Sequence, residues 1–278
     1  MMTLFVLPYF TLGPWPKEPL FSIGSFHAQI PAFGLLVAMG VVLAVMMGTR
    51  KAKQLGLPRH EFQNMAFFLL IIGWLAAHIF EVVFYHPDFI LKQPMILLDI
   101  TNGFSSYGGL IGGIAAFFIW TRGPYRKDRI LWAEAAAWSL PFAWFFGRIG
   151  CSVVHDHPGS PAPDWWPLAI DFSDPYRPWL NGPRHDLGFY EAIWWFVILI
   201  VMLMLNRKPR RPGFYLWLLP ILYAPVRFGL DFLRVSDAAG GDTRYLGLTP
   251  AQYLSIVLAG VAIYFVIRYR YYRTSTTL

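Results

Sequence analysis

Seven stretches of mainly apolar residues constrain this chain more than any other feature of its sequence, because each approaches the length of a membrane-crossing helix. Such a helix needs about 20 apolar residues to cross roughly 30 Å of hydrocarbon. The chain is 56% hydrophobic and only 14% charged, which leaves too few polar side chains to cover a water-soluble fold. The sequence therefore predicts an all-α integral membrane protein. Its seven spans are expected at about residues 30–48, 64–85, 107–121, 130–148, 188–205, 213–232 and 250–270.

The positions of the basic residues predict how these spans are oriented. Groups of three or four lysines and arginines follow the first, third, fifth and seventh spans. Because cytoplasmic loops are enriched in these residues, the N-terminus is predicted to lie outside and the C-terminus in the cytoplasm. The net charge of +7 is divided among these loops, which argues against a nucleic-acid partner.

The longest stretch without a predicted helix, residues 149–187, falls on the outer side. We expect it to form a small periplasmic head between the fourth and fifth helices of a single transmembrane domain, residues 1–278. The third span is short and begins with two glycine pairs, Gly108 and Gly109 followed by Gly112 and Gly113. Small residues let helix backbones approach closely, so this span is predicted to pack tightly against a neighbour.

Two arginines lie near the outer ends of predicted spans, Arg148 in the fourth and Arg227 in the sixth. An arginine at bilayer depth costs about 2.5 to 3.5 kcal/mol, so it normally faces a cavity, a partner or the interface. Arg227 belongs to a stripe in which Tyr223, Asp231 and Arg234 share one face of the predicted sixth helix. A structural salt bridge would not require the whole stripe, which favours a functional surface.

Two clusters of reactive side chains flank the predicted head. The first follows Arg148 and contains Cys151 and the sequence His155-Asp156-His157. The second runs from His185 to Glu191, and it places Tyr190 and Glu191 at the start of the fifth span.

Several segments, taken in order, resemble the bacterial prolipoprotein diacylglyceryl transferases. These segments are Tyr107-Gly108-Gly109-Leu110-Ile111-Gly112-Gly113, Gly147-Arg148-Ile149-Gly150, His185 to Glu191, Arg210-Arg211-Pro212-Gly213-Phe214, and Tyr223 with Arg227, Asp231 and Arg234. No single segment is specific to the family. Their order and spacing on a seven-span plan are specific, and they match the family over roughly residues 20–270.

The resemblance implies an enzyme of the bacterial inner membrane, with its active site toward the periplasmic leaflet. It would move the diacylglyceryl group of phosphatidylglycerol, a membrane lipid, onto the lipobox cysteine thiol of a preprolipoprotein signal peptide. No metal or organic cofactor is implied. Arg148 and Arg227 match the two arginines that are essential in the family. The implied substrate-binding residues are Gly108, Gly109, Cys151, His185, Tyr190, Glu191, Tyr223, Asp231 and Arg234.

The sequence departs from the family pattern at two places. Tyr107 stands where many members have histidine, and a tyrosine of ordinary pKa near 10 is a poor base at neutral pH, so Tyr107 is expected only to orient the lipid headgroup. After Gly150 the family usually has Asn-Phe-x-Asn-x-Glu, whereas this chain has Cys151 to Asp156. We hypothesise that His155 and Asp156 supply the base that ionises the substrate thiol.

Four other interpretations stay open from the sequence. The chain is compatible with a divergent transferase that uses another acceptor, and with a transporter-like protein that binds anions through its outer arginines. His155, His157, His185 and Asp156 have the chemistry of a zinc site in a membrane hydrolase. Cys151 is compatible with a covalent cysteine enzyme.

Overall fold

The computed structural model describes residues 7–9, 21–23, 26–28, 31–85, 90, 94–98, 104–163, 165–173, 177–235 and 244–275. Within these residues lie seven helices of 15 or more residues, one at each predicted position. They are α1 (Ala32–Gln54), α2 (Arg59–Tyr85), α3 (Ser106–Trp120), α4 (Arg129–Val154), α5 (Leu187–Leu205), α6 (Phe214–Leu230) and α7 (Pro250–Ser275). Short 3-10 helices occupy Pro94–Leu98, Gly123–Asp128, Pro178–Leu180 and Asp231–Leu233.

Five of the seven helices are long and apolar enough to cross a membrane, namely α1, α2, α5, α6 and α7. Only 17% to 44% of the residues in their most apolar windows are buried within the protein, so most of their apolar side chains face outward. Val42, Phe67 and Val257, for example, are more than half exposed. Lipid is the solvent that such a surface needs, and the chain is therefore a helical, multi-pass membrane protein.

The other two helices depart from this simple pattern. The apolar part of α3 is short, as predicted, at Gly108–Trp120. Helix α4 is long enough to span but holds Glu134 and Pro141 in its interior. It also continues to Val154, past the end predicted near residue 148. Arg148 and Cys151 are therefore helical residues, and the predicted head begins later than expected.

The described contacts divide the chain into two compact units, which we call unit 1 (Met1–Ala44 with Ala137–Leu278) and unit 2 (Val45–Ala136). In unit 2, α2 packs closely against α3. A Cβ atom on Gly108 would lie 2.6 Å from the carbonyl oxygen of Ala76, and one on Gly112 would lie 2.3 Å from the Ala76 Cβ. This close approach confirms the predicted packing role for Gly108 and Gly112, whereas a Cβ atom on Gly113 would meet nothing within 4 Å.

The head in unit 1 is built on the strands β1 (Leu7–Pro8), β4 (Pro158–Pro161), β5 (Ile170–Phe172) and β6 (Gly182–Asp186). They form one four-stranded sheet of order β1-β5-β6-β4. A separate antiparallel pair joins β2 (Phe21–Ile23) to β3 (Phe26–Ala28). Strand β6 runs directly into α5, so the sheet positions the helix that carries Glu191.

A left-handed residue ends α4 and turns the chain back over the helix. His155 has φ of 48°, a conformation that usually belongs to glycine. Its backbone N–H donates to the carbonyl of Ser152, and the N–H of Asp156 donates to the carbonyl of Cys151. This is the Schellman arrangement, and it brings Asp156 back beside Cys151.

Candidate active site

A single buried carboxylate joins three helices of unit 1. Glu191, in the first turns of α5, is 1% exposed. Its Oε2 lies 3.2 Å from Nε of Arg148 in α4 and accepts a 3.1 Å hydrogen bond from the Tyr223 hydroxyl in α6. Its Oε1 lies 3.6 Å from Nη1 of Arg227, also in α6. The two arginines singled out from the sequence are therefore held by one acid.

A second buried carboxylate, Asp231, lies where α6 gives way to a 3-10 turn. Its Oδ1 is 2.6 Å from Nη1 of Arg227 and 3.1 Å from Nε of Arg234. Its Oδ2 accepts a hydrogen bond from the Thr249 hydroxyl, and its backbone carbonyl accepts one from Arg244. The predicted stripe of Tyr223, Arg227, Asp231 and Arg234 is thus one connected network.

The start of α7 fixes the position of Thr249. The backbone N–H of Gln252 donates to the Thr249 hydroxyl, and the Gln252 side chain accepts from the Thr249 N–H. This reciprocal pair is a capping box, with Pro250 at the first helical position. The sequence Thr-Pro-Ala-Gln therefore both begins α7 and supplies a hydroxyl to Asp231.

Positive charge is in excess at this network. Among the described residues, Arg148, Arg227 and Arg234 contact the carboxylates of Glu191 and Asp231, and Arg244 donates to the backbone carbonyl of Asp231. The carboxylate of Asp156 adds one further negative charge near Arg148, so the four arginines still outnumber the nearby acids. Arg227 is 8% exposed, and the Arg148 side chain is 15% exposed. Buried cations without equal compensation attract an anion, and guanidinium groups suit the oxygens of a phosphate.

His155, predicted as a catalytic residue, has its partners within the head. Nδ1 of His155 lies 2.6 Å from Oδ2 of Asp186, and the His155 ring stacks on Tyr9. Oδ1 of the same aspartate accepts from the N–H of Phe189 and so caps α5. Asp186 therefore ties the end of α4 to the start of α5, the helices that carry Arg148 and Glu191.

His185 and Tyr190 form a second contact inside the head. Nδ1 of His185 lies 2.8 Å from the Tyr190 hydroxyl, which also accepts from Trp166 and donates to the carbonyl of Leu168. Burial lowers the pKa of His185 below its ordinary value, so its ring is neutral at pH 7. These contacts lie within the head, and the role predicted for His185 and Tyr190 in substrate binding stays a prediction.

Asp156 is paired with His157 rather than with His155. Oδ1 of Asp156 lies 2.8 Å from Nδ1 of His157, and both side chains are partly exposed. The side chain of Cys151 is close to both, within 4.8 Å. The zinc site considered from the sequence is not assembled, because His155 and His185 contact Asp186 and Tyr190 instead.

Three predicted site residues belong to unit 2. Gly108 and Gly109 lie in the first turns of α3, where Gly108 packs against α2. Tyr107 is also in the first turn of α3, but its side chain is outside the described part of the structure. The roles predicted for Gly108 and Gly109 in substrate binding, and for Tyr107 as a catalytic residue that orients the headgroup, stay predictions.

Sequence reasoning missed two members of the network, Arg244 and Thr249. Arg244 carried a signal as a basic residue on the side of the membrane that the positive-inside rule leaves poor in such residues. Thr249 carried one as the first residue of a capping box. Neither signal reveals the contacts of Arg244 and Thr249 with Asp231, because these contacts join residues that are 13 and 18 positions apart.

Comparison with known proteins gives a consistent result. A family model described as prolipoprotein diacylglyceryl transferase matches residues 19–268. A phosphatidylglycerol–prolipoprotein diacylglyceryl transferase of Clostridium tetani is 27% identical over 257 residues, covering 91% of this chain and 99% of the relative. The enzyme of the same name from Idiomarina loihiensis is 30% identical, covering 85% and 87%. That from Nitratidesulfovibrio vulgaris is 29% identical, covering 92% and 96%.

Proposed function

This chain belongs to the prolipoprotein diacylglyceryl transferase family, and on that premise we propose that it transfers the diacylglyceryl group of phosphatidylglycerol to the lipobox cysteine of a prolipoprotein. This is the first step of lipoprotein maturation. The proposal rests on the pair of arginines, Arg148 and Arg227, whose side chains are at most 15% exposed and contact the single carboxylate of Glu191.

The reaction is a displacement at carbon. The thiolate sulfur of the acceptor cysteine forms a bond to the terminal glycerol carbon of the diacylglyceryl group. The bond from that carbon to the phosphate oxygen breaks, and the oxygen leaves with the electron pair as glycerol phosphate. Negative charge therefore grows on the phosphate as the reaction proceeds, and donors that bind this charge accelerate the step.

The charge of the network suits this change. The phosphodiester carries one negative charge, whereas the departing phosphate monoester carries about two at neutral pH. A surplus of positive charge binds the leaving group more strongly than the substrate, which is the differential binding that catalysis requires. We assign Arg148 and Arg227 to the phosphate oxygens, and Glu191 and Asp231 to holding these arginines in place.

The base that ionises the acceptor thiol is proposed from the residues that follow Arg148. Both members of the hypothesised pair lie just beyond the end of α4, but His155 is buried on Asp186 while Asp156 is partly exposed. The geometry favours Asp156 for contact with an incoming thiol. Transfer at the wild-type rate by an Asp156→Asn variant would remove Asp156 from this role, and the same result with His155→Ala would remove His155.

We propose seven spans in the bacterial inner membrane, with the head and the arginine network toward the periplasm. The alternating basic loops support this orientation. Helix α4 would be the fourth span, with Glu134 buried inside unit 2 where its charge attracts that of Lys51. A lipoprotein signal peptide and phosphatidylglycerol would both reach the site from the outer half of the bilayer.

The test is an assay of purified protein in detergent with phosphatidylglycerol and a lipobox peptide. We expect release of glycerol phosphate and a gain of one diacylglyceryl mass by the peptide, both requiring the peptide cysteine. Arg148→Ala and Arg227→Ala should each lower the rate at least 100-fold, about 2.7 kcal/mol of transition-state stabilisation.

Arg126→Ala is the matched control, because Arg126 is exposed and lies in unit 2, away from the network in sequence. It should transfer at the wild-type rate. Wild-type turnover by either network variant would overturn the phosphate assignment. Binding of the lipid without transfer to any acceptor peptide would instead favour the anion-binding alternative.

A further inference from the structure

Three different metal-binding side chains converge just beyond the end of α4. The sulfur of Cys151, a carboxylate oxygen of Asp156 and a ring nitrogen of His157 all lie within 4.8 Å of one another. Cys151 is buried, whereas the side chains of His157 and Asp156 are 23% and 39% exposed. The cluster is therefore buried at Cys151 and accessible to solvent at Asp156 and His157.

The backbone, rather than chance proximity, assembles this cluster. The Schellman turn at His155 sends the chain back, so that Asp156 lies beside Cys151 instead of continuing along the helix. The contact of His155 with Asp186 holds this turn in place. Asp156 and His157 are then paired at 2.8 Å, and the Cys151 sulfur lies within 4.8 Å of the ligand atoms of both.

We propose that Cys151, Asp156 and His157 form a binding site for a thiophilic divalent cation, of which Zn²⁺ is the natural example. Thiolate, imidazole and carboxylate are the ligands that zinc prefers, and three protein ligands leave a fourth position for water. Binding replaces the thiol proton by the metal and releases that proton to solvent. Thiolate and carboxylate together then neutralise the two charges of the ion, which lies near the cationic Arg148.

The distances require only a small adjustment. Bond lengths of about 2.0 to 2.3 Å place tetrahedral ligand atoms roughly 3.5 Å apart. The side chains of Asp156 and His157 are 39% and 23% exposed, whereas Cys151 is buried. Rotation of these two side chains contracts the cluster while the helix stays fixed.

One consequence rests on the proposed transferase function. An ion at this site would occupy Asp156, the carboxylate assigned to the acceptor thiol, and would add a cation one helical turn from Arg148. It would therefore inhibit transfer. The binding itself does not depend on that function, so binding and inhibition can be tested separately.

The experiment uses Co²⁺ as a spectroscopic probe with full-length protein purified in detergent through a tag that contains no histidine. The chain has one cysteine, so a thiolate-to-cobalt charge-transfer band can arise only from Cys151. We expect such a band to saturate at one ion per chain and to disappear when Zn²⁺ is added in equal amount. Cys151→Ser should abolish the band, and His157→Ala should weaken binding at least tenfold.

His60→Ala is the matched control. His60 forms an exposed 3.0 Å pair with Glu61 that has no thiol beside it, so its loss should leave the band unchanged. No band in folded wild-type protein, or equal binding by the wild type and His157→Ala, would overturn the proposal. In the transfer assay, Zn²⁺ should slow the wild type more than His157→Ala, each relative to its own rate without the ion. An inactive protein that still shows the band would retain the metal site and refute only the transferase assignment.

Discussion

At the scale of single residues, Glu191 has the most consequential position, because it holds side chains from two other helices. Glu191→Gln keeps the shape of the side chain but removes its charge. We expect kcat to fall at least tenfold, since Arg148 loses the anion that orients it and Arg227 keeps only Asp231. KM for phosphatidylglycerol should not rise, because the network gains a net positive charge. Steady-state kinetics in mixed micelles separate the two constants.

Tyr223→Phe provides the matched comparison, because it removes only one hydroxyl from the same carboxylate. Its effect on kcat should be smaller than that of Glu191→Gln. An equal or larger loss would show that the hydroxyl, and not the charge of Glu191, governs the arginines.

His185 predicts a dependence of stability on pH. Because burial lowers the pKa of His185 in the folded protein, the unfolded chain binds a proton at pH values where the folded chain does not. The stability that the neutral ring confers is present above its unfolded pKa of about 6.5 and declines as the pH falls below that value. The thermal unfolding midpoint should therefore decrease between pH 7.5 and 5.5, and it should decrease less in His185→Gln. Parallel pH profiles for the two proteins would contradict this account.

At the scale of secondary-structure elements, Asp186 connects α4 to α5 through two separate oxygens. Asp186→Asn retains an N-cap acceptor but loses the charge opposite His155, whereas Asp186→Ala loses both. The cap alone is worth about 1 kcal/mol. We expect the unfolding temperature to fall in the order wild type, Asp186→Asn, Asp186→Ala. If the two variants unfold at the same temperature, the cap does not contribute.

The packing of α2 against α3 allows a comparison of adjacent glycines. Gly112→Ala places a Cβ atom 2.3 Å from that of Ala76, whereas Gly113→Ala meets nothing within 4 Å. Overpacking should destabilise the Gly112→Ala protein by about 1 to 3 kcal/mol. Gly113→Ala should be neutral or stabilising by up to about 1 kcal/mol, since alanine favours a helix. Thermal unfolding in detergent measures both, and equal midpoints would argue against the close contact.

At the scale of the whole molecule, the proposed orientation can be tested by single-cysteine labelling. In a Cys151→Ser background, Trp165→Cys lies in the head, and Lys127→Cys and Lys208→Cys lie in predicted cytoplasmic loops. A membrane-impermeant maleimide should label Trp165→Cys in sealed spheroplasts and the other two only after lysis. The reverse pattern would invert the topology, and labelling of all three in sealed spheroplasts would contradict the assignment of both loops to the cytoplasm.

The helices were predictable from the sequence, whereas the sheet was not. Long apolar runs mark each helix locally. Only the predicted helix ends differ from the structure, as for α4, which ends at Val154 instead of near residue 148. The strands are two to five residues long, and β1 pairs with β5 across more than 160 positions, so no local pattern reveals them. The stripe of Tyr223, Arg227, Asp231 and Arg234 correctly predicted four residues of the network, of which the last two lie just beyond the end of α6. The partnership of Glu191 with both arginines depends on how three helices meet.

If the arginines around Glu191 and Asp231 bind the leaving phosphate as proposed, their surplus of positive charge should also slow the release of that product. A site that favours a dianion binds the glycerol phosphate product more tightly than the other product, the uncharged thioether. Turnover would then be paced by product escape, a common situation in enzymes. Accumulated glycerol phosphate would occupy the vacated pocket and compete with fresh lipid. The same positive charge would then accelerate the bond-breaking step and slow the release of glycerol phosphate.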